Sequence, residues 1–191
     1  PIHKKWMIQA GSHNRLRDNG WLKTWRNAAL TTANYEHSVL NSFGIPSIIL
    51  NKSEILDLEP NINPIFDTGL LHQGTSSVDS PGEVTKSYAN LYIKEGGHFK
   101  ISVIENIIFS DGIWTVQTNN GNYNAHNVVV AMGPWSAEIL KPLGYSIPLL
   151  FEIGYHREYE ALQDKTITRP IYDVQAAFVL TPVEKGCLLY T

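Results

Sequence analysis

Two patterns in this 191-residue sequence have the residue types for chemistry. One is Gly154-Tyr155-His156-Arg157, where a phenol that can donate a hydrogen bond sits beside an imidazole, a residue type able to exchange a proton. The other is His126–Leu140, HNVVVAMGPWSAEIL. Val128–Val130 there reads as a short strand buried on both faces. Ala131 and Gly133 follow, small residues where the backbone must turn sharply or let another molecule approach closely. Pro134, Trp135 and Ser136 then lead into a helix over Ala137–Leu140. In a parallel α/β sheet, ligands sit beyond the carboxyl ends of the strands, where this turn would fall. The same spacings also suit an ordinary strand-to-helix connection and a plain sheet strand with alternating exposure.

Other chemistries lack their residues. The seven histidines include no His-x-x-x-His and no mixed Cys/His spacing, so a metal site has no support. Cys187, the single cysteine, rules out an internal disulfide, fits a reducing compartment and reads as a small core residue. Neither Gly-x-x-x-x-Gly-Lys nor Gly-x-Ser-x-Gly is present, and Gly-x-Gly-x-x-Gly, which cradles a dinucleotide pyrophosphate, is missing as well. With 43% apolar and 17% charged residues the composition is globular, and the formal charge of −3 gives no footprint for nucleic acid. No apolar run approaches a membrane span, and no signal-peptide layout opens the chain. A start at Pro1 and an end within Leu188–Thr191, which reads as mid-strand, lead to the expectation of an internal piece of a longer protein.

The elements that must position these residues follow in order. Residues 1–20 are polar and read as a solvated loop. Gly20–Arg26 alternates large apolar with polar side chains, as a half-buried strand does. Asn27 caps an expected helix over Ala28–Phe43 that ends at Gly44, with Leu30, Val39, Leu40 and Phe43 inward. Ile45–Leu50 is a strand, and Ser53 opens a turn of helix stopped by Pro60, with Glu54, Asp57 and Glu59 on a solvated face. Gly69–Leu71 is a strand, and Ser80-Pro81 starts a helix running to about Glu95. Phe99–Ile104 begins a three-stranded meander turned at Asp111-Gly112 and Asn120-Gly121. Past Gly144 the runs Ile147–Tyr159, Phe178–Val183 and Leu188–Tyr190 read as strands of an antiparallel sheet.

Val-Val-Val-Ala-x-Gly-Pro-Trp-Ser-Ala-x-x-Leu, at residues 128–140, resembles the second flavin-contacting segment of the D-amino-acid oxidase and dehydrogenase superfamily of FAD-dependent amine oxidoreductases. The resemblance extends over most of residues 20–190. It takes in Leu58-Glu59-Pro60 and the Val78-Asp79-x-Pro81 helix entry, where Ser80 stands between an aspartate and a proline that are usually adjacent. It implies an α+β / α/β fold: a partial FAD/NAD(P)-binding domain (strand, β-meander, strand, helix) with an antiparallel-sheet substrate domain. The corresponding division is 1–72 substrate side, 73–144 cofactor side and 145–191 substrate side. It also implies that Val103 offers its backbone to the adenine, and that Ala131, Met132 and Gly133 pass close to FAD. Tyr155 and His156 would lie on the substrate side, and the glycine-rich loop would lie outside these residues.

The activity so implied is oxidation of an amino acid or secondary amine, as by a D-amino acid dehydrogenase or a glycine or sarcosine oxidase. The catalytic residue stays unassigned. The partner is a small-molecule amino acid or amine, and self-association into a homo-oligomer is compatible with the reading. The expected location is cytoplasmic, peripheral to the inner membrane for a dehydrogenase. By the same resemblance a carboxylate-binding arginine belongs to a Trp-x-Gly-x-Arg-Pro segment beyond Tyr190. Arg169-Pro170 lacks its tryptophan and glycine and is expected to be a loop residue. The alternatives are a related flavoprotein acting on a 2-hydroxy acid or glycerol phosphate, and a non-catalytic α+β binding module.

Overall fold

The computed structural model describes residues 2–162 and 165–191. Its elements are α1 (Ile2–Gln9), β1 (Leu16–Arg17), β2 (Trp21–Trp25), α2 (Leu30–Ser42), β3 (Ser47–Asn51), α3 (Lys52–Leu58), β4 (Thr68–His72), β5 (Ser77–Val78), α4 (Pro81–Lys94), β6 (Ile104–Ser110), β7 (Ile113–Thr118), β8 (Gly121–Ala125), α5 (Ser136–Leu140), β9 (His156–Glu160), β10 (Ile171–Asp173), β11 (Phe178–Val183) and β12 (Gly186–Tyr190). They fall into two compact units, residues 1–97 with 154–191, and residues 98–153. α4 lies in the first unit.

The first unit is built on a seven-stranded sheet in the order β3-β4-β2-β10-β11-β12-β9. Its pairs are antiparallel except β2 with β10. Side chains alternate across a strand, so the register sorts them onto two faces. One face carries Leu71, Leu22, Ile171 and Leu180, which meet Ile55 of α3 and Phe66 in a buried cluster, with Cys187 against its edge. Burial pushes the Cys187 thiol up to about 11. The opposite face carries Trp25, Leu70 and Ile49, covered by Ala33 and Leu40 of α2. That α2 cover stops at β2; the same face continues across β10, β11, β12 and β9.

Several expectations are corrected. Residues 2–9 form a helix rather than a loop, because Met7 is buried where α1 packs on α4. Asn27 is not a cap: α2 starts at Leu30 behind Ala29 without a side-chain cap, and the Asn27 amide oxygen accepts from Gln175 instead. Within α2, Ala33 is the buried residue, while Leu30 and Val39 are exposed, as is Phe43 just past its end. Asn51, not Ser53, caps α3, in a capping box where its side chain accepts from Glu54 N–H and Glu54 accepts from Asn51 N–H at 2.8 Å. Glu59 leaves the solvated face assigned to it and is fully buried.

The second unit is a three-stranded meander, β6-β7-β8, followed by α5. Asp111 and Gly112 both have positive φ, as a primed hairpin turn needs. The meander starts at Ile104; residues 99–103 carry no ladder. Val128–Val130 is likewise not a strand. It has no pairing partner among the described residues, and Val129 stays 89% exposed. A β-branched run becomes a strand only where a neighbour takes its hydrogen bonds. Residues 147–155 are outside the strands for the same reason, and β9 begins at His156.

Candidate functional site

Where α2 no longer covers the sheet, its open face forms one wall of a cavity of about 600 Å³. The register puts the wall together. His156 pairs with Tyr190 and Tyr190 with Val179; Glu158 pairs with Leu188 and Leu188 with Thr181. Paired residues share a face, so His156, Glu158, Leu188, Tyr190 and Thr181 all point away from the buried cluster that holds Leu180. The second wall is Ser77 and Val78 of β5 with Pro81 at the first turn of α4. Tyr155 lines the rim and its carbonyl accepts from Thr191 N–H at 3.2 Å. The sequence-stated pair Tyr155 and His156 thus lines one cavity, with Tyr155 exposed.

Sequence reasoning missed Ser77, Glu158, Thr181 and Tyr190. The alternation of Phe178–Val183 was the available signal. Assigning its faces requires the hairpin register, fixed by the turn between Val183 and Gly186. Gly186 lets β9 close on the other side of β12: a Cβ there would stand 2.1 Å from the Tyr159 carbonyl oxygen, and its φ is +152°.

The walls carry no lysine, arginine or aspartate, and His156 and Glu158 are their imidazole and carboxylate. All five arginines of the sequence are engaged elsewhere. Arg26 donates to buried Asp173 at 2.6 and 2.9 Å. Arg15 and Arg17 donate to Asp79. Arg157, one residue out of phase with His156, stacks over Tyr159 on the other face. Arg169 donates to Glu59 at 2.7 Å and to the Asn19 carbonyl at 2.7 Å, and Glu59 also accepts from the N–H and hydroxyl of Thr168. Toward α2, Trp21 stacks on His72 at 4.5 Å, and Lys23 pairs with Glu36 at 2.7 Å.

In the second unit, Val103 sits just before β6. Its N–H donates to the Asn119 side chain at 3.0 Å, its carbonyl accepts from Asn119 N–H, and its side chain is exposed. Ala131, Met132 and Gly133 form the turn into a single 3-10 turn, Gly133–Trp135, that leads to α5. Gly133 has φ +57° and open space around it, and Ala131 is exposed. Met132 N–H donates to Ser136 Oγ at 3.2 Å and is not free for a ligand. Small residues with open space suit the close passage of a large cofactor such as FAD. An anion cradle draws on several free N–H groups, and here Met132 N–H is engaged and Pro134 has none. No group of three or more metal-ligating side chains occurs among the described residues, and no helix among them is long and apolar enough to cross a membrane.

A family model described as FAD dependent oxidoreductase matches residues 3–190. A D-amino acid dehydrogenase from Cereibacter sphaeroides is 29% identical over 175 residues, covering 88% of this chain and 38% of that protein. Among solved structures, glycine oxidase from Bacillus cereus matches with a TM-score of 0.83 at 16% identity, over 99% of this chain and 52% of that one. Glycine oxidase from Geobacillus kaustophilus matches with a TM-score of 0.81 at 18% identity, over 99% and 51%. The chain therefore spans about two fifths of the curated relative and about half of the two solved proteins.

Proposed function

The chain belongs to the family of FAD dependent oxidoreductases, and we propose that it forms part of an enzyme oxidising an amino acid or secondary amine at the α-carbon, with a D-amino acid or glycine-like substrate. The observation that carries this reading is the family match over nearly the whole chain, joined by an amino-acid dehydrogenase relative. The cavity supports it. Its size suits a small molecule, and its apolar walls with a few polar groups are what a substrate pocket presents.

FAD, when bound, accepts the two electrons removed from the substrate, so the protein's part is to orient the amine and keep water away. On this reading Tyr155 and His156 are the substrate-side residues. Val103 and the Ala131–Gly133 turn contact the cofactor through backbone and small side chains. The division into cofactor and substrate portions along the chain goes with the same proposal, as does a cytoplasmic location, peripheral to the inner membrane for a dehydrogenase.

The test uses the protein that contains this chain, purified with its flavin. Anaerobic addition of D-alanine, D-proline, glycine or sarcosine should bleach the flavin absorbance. Bleaching by glycerol phosphate or a 2-hydroxy acid but by no amine would replace this reading with the related flavoprotein class. Absence of flavin would overturn it.

A further inference from the structure

We infer that Arg15 is a positioning residue for the cavity, setting through Asp79 and Glu184 how far apart its two walls stand. The inference rests on the cavity being the substrate site. Asp79 directly follows the β5 wall, and Glu184 directly follows Val183 of the sheet wall. Arg15 spans the two: its Nη1 lies 3.2 Å from Asp79 Oδ1 and 3.4 Å from Glu184 Oε2. The backbone closes the same junction. Asp79 N–H donates to the Arg15 carbonyl at 3.2 Å, and the Asp79 carbonyl accepts from Glu184 N–H at 3.1 Å. Arg17 donates to the second carboxylate oxygen of Asp79.

Asp79 is only 14% exposed and holds two guanidiniums, a geometry in which charge-assisted hydrogen bonds carry weight. The hydrogen bond to Asp79, with the charge of Glu184 beside it, raises the pKa of Arg15.

This junction matters because the strip it holds has little else to fix it. Val78 and Pro81 line the 600 Å³ cavity on one side and a second cavity of about 580 Å³, bounded by His3, Met7 and Tyr88, on the other. Among the described residues the only ladder along the strip is the two-residue pair of β1 with β5. So short a ladder is marginal by itself. A partition with space on both sides takes its position from its ends. At the far end Ser76 donates to Asp18, which also accepts from Lys4. At the near end stands the Arg15 bridge.

The experiment compares Arg15→Gln, Arg15→Lys and Glu184→Gln in the flavin-loaded protein that contains this chain. For Arg15→Gln the substrate KM should rise about tenfold while the limiting rate of flavin reduction stays within about threefold; Arg15→Lys should recover part of the KM, and Glu184→Gln should raise it less. A purely structural role would lower Tm without this split. Raising NaCl from about 0.05 to about 0.5 M should weaken substrate binding in the parent protein and not in Arg15→Gln. A KM within about twofold of the parent's for both Arg15 variants overturns the inference.

Hydrogen exchange gives a reading that needs no substrate. Arg15→Gln should speed exchange in Ser77–Val84 and Val183–Gly186 by about tenfold over β2 and β4. Exchange at parental rates there overturns the inference even if no amino acid reduces the flavin. That last result would count against the proposed function alone. If Arg15→Gln does not fold, Glu184→Gln, whose side chain is 57% exposed, supplies the same readouts.

Discussion

Glu59 and Arg169, 110 residues apart, form a buried ion pair with Nε 2.7 Å from Oε1. The carboxylate accepts from Arg169 and twice from Thr168, so it is satisfied without water. The pair ties the end of α3 to the segment that enters β10, across the core of Leu22, Ile55 and Ile171.

Arg169→Ala should therefore destabilise the first unit by about 3–5 kcal/mol, because it strands a buried carboxylate. Replacing both partners with apolar residues, Glu59→Leu with Arg169→Met, should restore most of that loss. Urea unfolding of the single and double variants measures both. Because the guanidinium is spent on Glu59 and the Asn19 carbonyl, a variant that still folds should keep its substrate KM within about threefold. A rise of about a hundredfold would mean that Arg169 touches the substrate.

His72 predicts an acid-side loss of stability. Its ring stacks on Trp21, its Nε2 is buried with no partner, and burial holds its pKa below the ordinary 6.5. The unfolded chain takes up the proton first. The contribution is thus complete above about pH 6.5 and falls as the pH drops below it. Asp18 and Glu83, whose pKa values hydrogen bonds from Lys4 and Lys86 lower, lose their contribution only below about pH 4. Urea midpoints of the parent between about pH 7.5 and 5 should decline, and His72→Phe should flatten that slope. A slope unchanged in His72→Phe would place the titration elsewhere.

Gly186 tests the register of the cavity wall. Gly186→Ala puts a methyl group against the Tyr159 carbonyl and the Ala161 amide nitrogen at a φ that alanine rarely adopts. It should cost about 2–4 kcal/mol or displace β9 from β12. Faster amide exchange across His156–Glu160 than across Ile48–Leu50 would report the displacement. Wild-type exchange and stability together would show that the hairpin has room this geometry denies.

How much of this was legible in the sequence depends on where each hydrogen bond or contact finds its partner. β2, β4, the α4 entry at Pro81 and the Asp111-Gly112 turn could be read, because each carries a local pattern of alternation, proline position or positive φ. The helix at Ile2–Gln9 could not, since its single buried residue, Met7, meets α4 seventy-odd residues on. Glu59 looked solvated for the same reason: its partners Thr168 and Arg169 are more than a hundred residues away. Val128–Val130 shows the converse, a strong local β signal without a neighbouring strand among the described residues. In the cavity, Tyr155 and His156 were legible as residue types. Ser77 and Thr181 entered only through β-sheet register and the β5 edge.

The 191-residue chain by itself should not retain flavin. A dinucleotide cofactor is held chiefly at its pyrophosphate, by free N–H groups of a glycine-rich turn and a helix N-terminus. This sequence contains no Gly-x-Gly-x-x-Gly, and at the one candidate turn Met132 N–H is spent on Ser136. What remains is the approach of Val103, Ala131 and Gly133, all exposed and none cationic. Each hydrogen bond or helix-dipole interaction that the phosphates go without is worth about 1 kcal/mol or more, and a Kd weakens tenfold for every 1.4 kcal/mol. The purified chain should therefore be colourless. Added at equal concentration, near about 10 µM, FAD should stay free, with its fluorescence unquenched. A stoichiometric yellow complex would mean that the Ala131–Gly133 turn holds the cofactor without a phosphate loop, and the contact role given to it here would have to become an anchoring one.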